Sequence, residues 1–110
     1  MIIGIIRGLG KFYADGMEVL EIWVHKNKSQ GLPVVEGSRV PITFILNGEQ
    51  YEAGLRSTRN CDYVWICPDL INEYGQPVKL SHVLSKSGFQ NNQRVGLGLH
   101  GRTVTLSRVS

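Results

Sequence analysis

The chain has little of what marks a catalytic or a secreted protein. Its 110 residues include two cysteines, Cys61 and Cys67. Two are too few for a disulfide scaffold, and their separation is not one that a zinc knuckle uses. The three histidines, His25, His82 and His100, fall in different segments and none has a partner at metal-ligand spacing. No pair of carboxylates stands out for acid–base work or for holding magnesium, and no acidic cluster with a lysine marks a nuclease centre. No catalytic residue, metal or cofactor is therefore expected in this chain. Long apolar runs are missing too: the start, Met1 to Ile6, is ended by Arg7. A signal peptide places its charge before a longer apolar stretch, and a membrane span needs about 20 apolar residues. With reduced thiols, this predicts a soluble, cytoplasmic protein without a membrane partner.

The composition is that of one globular domain spanning 1–110, with 42% hydrophobic and 19% charged residues. Net charge is only +3, but it is unevenly spread. Arg7 and Lys11 stand in an acid-free start, Asp15, Glu18 and Glu21 follow without a base, and Lys26 and Lys28 are basic again. Arg56 and Arg59 form another basic stretch, and from Lys79 onward Lys86, Arg94, Arg102 and Arg108 meet no acid. Such segregation is the footprint of a polyanion site if the basic segments converge in space.

Period-two alternation and β-branched or aromatic residues dominate the pattern. Ile2–Arg7 is expected as a first strand, followed by a loop at Gly8-Leu9-Gly10-Lys11. Met17–Lys26 is a second, with Leu20, Ile22 and Val24 on one face and Val19, Glu21, Trp23 and His25 on the other. A polar loop leads to a third strand, Arg39–Leu46. Asn47-Gly48 is a two-residue hairpin turn, because both central residues of a type I′ turn need positive φ. Gln50–Thr58 and Tyr63–Cys67 are the fourth and fifth strands, and a final hairpin joins Arg94–Leu99 to Arg102–Arg108. Pro68–Tyr74 is expected to hold a turn or two of helix, with Asp69 as a cap. Lys79–Ser87 is the better helix: Leu80, Val83 and Leu84 share a face and Gly88 follows as a stop. Gly37-Ser-Arg-Val and Asn92-Gln-Arg-Val each lead into a hairpin, an echo that points to a β-barrel.

Three segments carry residue types suited to nucleic acid. Gly8 and Gly10 can bring backbone N–H groups to a phosphate, with Arg7 and Lys11 alongside; a plain turn between strands is the alternative. Trp23–Gln30 passes from an apolar strand to His25, Lys26, Lys28, Ser29 and Gln30. Arg56-Ser57-Thr58-Arg59-Asn60 continues the fourth strand past its apolar part. Arginine pairs bidentately with guanine, Asn and Gln with adenine, and hydroxyls serve bases or phosphates. Neither of the last two segments contains an acid, which solvated loops usually do.

The stretch Ile42–Thr58, followed by Tyr63-Val-Trp-Ile-Cys-Pro-Asp-Leu, resembles the DNA-binding pseudobarrel of restriction endonucleases. So does the tail from Val78-Lys-Leu-Ser-His-Val-Leu through Gly88-Phe and Arg94-Val. The resemblance is to the effector or recognition domains of EcoRII- and BfiI-type enzymes, related in fold to the plant B-three domain. It implies a mainly β fold, a seven-stranded open pseudobarrel with one or two short helices. It also implies sequence-specific binding of double-stranded DNA by two arms in the major groove, His25–Pro33 and Leu55–Asp62. On that reading Arg56, Ser57, Arg59 and Asn60 face base edges opposite His25, Lys26, Lys28, Ser29 and Gln30, while Arg7, Lys11 and Thr58 hold phosphates. The chain would be a monomeric, non-enzymatic target-recognition domain, with a nuclease domain elsewhere in the same polypeptide and a CCWGG-type site. Two other readings remain open: a small barrel binding single-stranded nucleic acid through exposed aromatics, with Trp23, Tyr51, Tyr63 and Trp65 as candidates, and a protein-interaction barrel. Tyr63 and Trp65, in what reads as a core strand, count against the first of these.

Overall fold

The computed structural model describes residues 1–109; Ser110, the last residue of the expected domain, lies outside the described residues. Alternation of apolar and polar residues builds most of the strands. In β2 (Glu18–His25) Leu20, Ile22 and Val24 point inward and are buried, as the pattern requires. The Asn47-Gly48 turn joins β3 (Arg39–Leu46) to β4 (Glu49–Ser57), and both residues take positive φ, 52° and 78°. That two-residue turn sets the register of the whole hairpin, from Leu46 opposite Glu49 to Arg39 opposite Arg56.

The remaining elements are β1 (Ile2–Phe12), β5 (Tyr63–Ile66), β6 (Asp69–Asn72), β7 (Pro77–Lys79), α1 (Leu80–Lys86), β8 (Arg94–His100) and β9 (Thr103–Arg108). Around the barrel the order is β3-β9-β8-β1-β2-β5-β4, and β4 pairs back onto β3, so seven strands complete a ring. The neighbours are antiparallel except β3 and β9, which run parallel through Thr43–Ile45 and Thr103–Thr105. This is the mainly β, seven-stranded barrel with a short α-helix that the resemblance implies, with one difference: the β3–β4 pairing closes the ring where an open pseudobarrel was expected. Phe44, Ile6, Ile22, Leu55, Ile66, Leu97 and Val104 fill its interior, each at most 2% exposed.

Two local expectations are corrected. The first strand does not stop at Arg7 but runs to Phe12, because Gly10, at φ 71°, allows a bulge that shifts the pairing with β2 between Gly8 and Phe12. Pro68–Tyr74 is not helical. Leu70 is buried while its neighbours Asp69 and Ile71 are exposed, a period of two rather than 3.6. The Asn72 side-chain oxygen accepts from the N–H groups of Tyr74 and Gln76, turning the chain back into β7. Asp69 caps no helix and instead pairs with Lys79 across that hairpin at 2.7 Å.

The two ends of the barrel differ. One is closed by α1, whose Leu80 and Leu84 enter the core with Phe89. Buried Ser81 fixes this helix to β2: its hydroxyl donates to the Glu18 carbonyl at 2.5 Å and accepts from the Leu20 N–H at 3.1 Å. The other end carries the β2–β3 connection, the β4–β5 turn and the tip of the β8–β9 hairpin. Antiparallel pairing brings these three loops together, since β2, β4 and β8 end where β3, β5 and β9 begin. Among the described residues no helix is long and apolar enough to cross a membrane.

Candidate nucleic-acid interface

The open end, or mouth, holds Lys26, Lys28, Arg39, Arg56, Arg59 and Arg102, six of the twelve Lys and Arg residues, against Glu36 and Asp62, two of the nine acids. The remaining six bases are outnumbered by seven acids. All of the excess positive charge therefore lies at the mouth.

The N-terminal arm is held there by a hydrophobic plug. Leu32, 7% exposed, enters the core, and Gly31, at φ 93°, passes close to the Leu99 side chain on β8. Before the plug, Lys26–Lys28 form a single 3₁₀ turn whose preceding residue, His25, accepts the Asn27 N–H on Nδ1. The C-terminal arm turns at 58–61, with the Cys61 N–H directed to the Thr58 carbonyl. Lys26 joins the arms. Its backbone N–H donates to the Asp62 carbonyl at 2.8 Å, and its ammonium donates to the Thr58 carbonyl at 2.5 Å. The arms are therefore in contact, side by side on one end of the barrel.

The expected base-contacting residues divide into two groups. His25, Lys28, Gln30, Arg56, Arg59 and Asn60 are exposed. Arg59 makes a surface ion pair with Glu36 at 3.4 Å, of a kind worth at most about 1 kcal/mol and easily exchanged for another anion. Ser29 and Ser57 are corrections. They are 9% and 5% exposed, the Ser29 hydroxyl is engaged with the Lys26 carbonyl at 2.7 Å, and neither can present itself to a base edge. Lys26 is half-buried and acts first as the clasp between the arms.

The phosphate set is also redistributed. Thr58 stays on the C-terminal arm, half-buried, with its carbonyl taken by Lys26 and Cys61. Arg7 and Lys11 lie away from the mouth on the outer wall, around Glu21. Arg7 faces Glu21 across the β1–β2 pairing and donates to Asn92 at 3.2 Å. Burial pushes the Glu21 carboxyl up, while the Trp23 indole N–H and the Lys11 charge draw it down. The Gly8–Gly10 bulge is not an open phosphate cradle. The Gly8 N–H donates to the Asn91 side chain at 2.8 Å and the Gly10 N–H to the Glu18 carboxylate at 2.9 Å, so a carboxylate already occupies the place of an anion.

Sequence reasoning missed two mouth residues. Arg39 stands directly opposite Arg56 and lies over Gly54, where a side chain would collide with its guanidinium. Arg102, at the β8–β9 tip, donates to the Pro41 carbonyl at 3.2 Å, which directs it along β3 toward Arg39. Like charges directly opposite on a sheet cost stability, on the order of 0.2–1 kcal/mol, and an anion at the mouth offsets that cost. Tyr63 and Trp65 are also placed differently from expectation. Val64 and Ile66 take the core face of β5, and both aromatics lie half-buried on its outer face. Trp23 on β2 is on the same wall, with its ring centroid 5.1 Å from that of Tyr63. Among the described residues no three His, Cys, Asp or Glu side chains cluster as a metal site. Comparison with known protein families, curated proteins and solved structures finds no match.

Proposed function

We propose that the chain binds double-stranded DNA with the mouth of its barrel, the two clasped arms entering the major groove. The observation that carries this reading is the charge distribution: a mouth with six bases and two acids on a body whose remaining charges are acidic on balance. A polyanion is attracted to one end of such a molecule and repelled weakly by the rest, which orients it before contact. His25, Gln30, Arg56, Arg59 and Asn60 supply donors and acceptors suited to base edges, and Lys28, a base-edge candidate by composition, carries a mobile point charge that suits a phosphate better. Arg39 and Arg102, on the rim, are suited to phosphates. Within this proposal the role of target-recognition domain of a restriction endonuclease, on a CCWGG-type site and with the nuclease elsewhere, is supported by the sequence resemblance and by the seven-stranded barrel it implies.

Selection from a pool of random duplexes at two salt concentrations tests the reading. The expected result is enrichment of one short sequence, with affinity falling as salt rises. Arg56→Ala and Arg59→Ala are each expected to cost about 1–3 kcal/mol and to relax the preference at one base pair. Equal binding to every duplex, or a preference untouched by both substitutions, would overturn sequence readout by this arm.

A further inference from the structure

The register of the barrel wall assembles a second surface beside the mouth. Trp23 lies directly opposite Trp65 across β2–β5, Trp65 opposite Arg56 across β5–β4, and Arg56 opposite Arg39 across β4–β3. Directly opposite residues share a face of the sheet, so Arg39, Arg56, Trp65 and Trp23 form one outward-facing row across four adjacent strands. One step toward the mouth, His25 lies opposite Tyr63, with ring centroids 5.3 Å apart, and Tyr63 in turn packs against Trp23. The row is thus an aromatic platform, Trp23, Tyr63 and Trp65, bounded on one side by two arginines. Among the described residues neither arginine makes a salt bridge.

What such a surface can take is limited by its strands. Both edges of β2 and both edges of β5 are already paired, so no peptide can add to them as a further strand. An occupant must lie on the side chains. It must offer flat apolar faces to the aromatics and negative charge to Arg56 and Arg39, one and two strand spacings from Trp65 at about 4.8 Å each. Duplex DNA hides its base faces in the stack. An unpaired nucleotide presents both features at once, a base and its phosphate.

We infer that this wall binds an unpaired segment of a DNA strand, its bases stacking on Trp65, Tyr63 and Trp23 and its phosphates meeting Arg39 and Arg56; Arg56, which faces a base edge where the duplex runs past it, meets a phosphate where the strand has left the duplex. The inference rests on the mouth being a nucleic-acid site, which it extends to single-stranded DNA continuing from the duplex. Trp23 and Trp65 are the chain's two tryptophans, so their fluorescence reports contact directly.

The test compares three ligands carrying one duplex sequence: blunt, with a short thymidine overhang, and with an overhang of the same length lacking bases. The overhang with bases should bind about tenfold more tightly than the blunt duplex, which is the fold-change for one stacked base at about 1.4 kcal/mol. It should also quench the tryptophan fluorescence, and the abasic overhang should do neither to the same extent. Trp65→Leu should remove the overhang advantage and Trp65→Phe should retain most of it, because the ring face does the work. Arg56→Gln should reduce the gain given by both overhangs. If the blunt duplex binds and the thymidine overhang adds nothing, this inference fails while the duplex reading stands. A free thymidine strand, added as a fourth ligand, that binds where the blunt duplex does not would support the inference and overturn the duplex reading. Binding of none of the three overturns both.

Discussion

Removing one positive charge from the mouth should lower the salt dependence of duplex binding, and removing one from elsewhere should not. Arg56 and Arg59 are assigned to base edges and the Lys26 ammonium to the clasp with Thr58, which leaves Lys28, Arg39 and Arg102 for phosphates. Three neutralised phosphates give a slope of log affinity against log salt of about −2.7. Between 50 and 200 mM salt, affinity should then fall on the order of 40-fold. Lys28→Gln, Arg39→Gln or Arg102→Gln should each reduce the slope by about 1, so the same salt step costs only about 12-fold. Lys86→Gln, in the exposed last turn of α1, is the control. It changes net charge by the same amount, so a response to overall charge alone would alter all four variants equally. Fluorescence anisotropy of a labelled duplex across a salt series measures the slope, with circular dichroism to confirm that each variant is folded. The reasoning is refuted if the Lys86 variant loses as much slope as the mouth variants, or if the mouth variants lose none.

Two further predictions concern the scaffold. Ser81→Ala removes the hydroxyl that partners both the Glu18 carbonyl and the Leu20 N–H, and an orphaned buried group costs about 1–3 kcal/mol. Urea unfolding should therefore show a loss of about 2 kcal/mol with an unchanged m-value, and a loss under 0.5 kcal/mol would contradict the assignment. Burial and a hydrogen bond donated to Glu49 push the Tyr51 phenol up to about 12 from its ordinary 10.0. Its contribution to stability is complete below about pH 10 and is lost as pH rises toward 12. Tyrosinate absorbance should show a late component near pH 12 that Tyr51→Phe abolishes; a titration unchanged by that substitution would refute it.

The sequence carried the barrel because its strands announce themselves by alternation, and because one turn fixes a long register. Asn47-Gly48 demands positive φ at both positions, and a two-residue loop then dictates every partner along β3 and β4. Arg39 opposite Arg56 follows from that turn, since both stand equally far from it; what the pattern did not show is that the pair stands at the mouth. The bulge was not. Glycines at 8 and 10 fit a loop or a bulged strand equally well by local chemistry, and only the pairing with β2 and the reach of Glu18 decide between them. Asp69–Asn72 was misjudged because a segment this short cannot display its period, so the turn at Asn72–Gly75 settled it. The serines show a different limit. Ser29 and Ser57 have the composition of a polar arm, but a hydroxyl is small enough to be buried against a carbonyl. Burial depends on how the arms pack onto the barrel, and that is a tertiary fact.

The clasp explains how two short polar segments can form one surface. Loops of this length, rich in Ser, Asn and Gln, would sample many conformations if free, and ordering them on a ligand would cost about 0.5–1.5 kcal/mol per immobilised side chain. Here Leu32 anchors one arm in the core, Lys26 ties it to the other at Thr58 and Asp62, and the Gly37 N–H bonds the Ser57 carbonyl at the root of both. Much of the ordering is therefore complete before any partner arrives. Under the proposed function, the lysine engaged inside the arms contributes through geometry, while the exposed bases around it contribute through charge. The same closeness limits the target. Arms in contact at Lys26 and Thr58 act as one unit rather than two separated prongs, and under the proposed function such a unit suits a single major groove better than two grooves on opposite faces of a duplex.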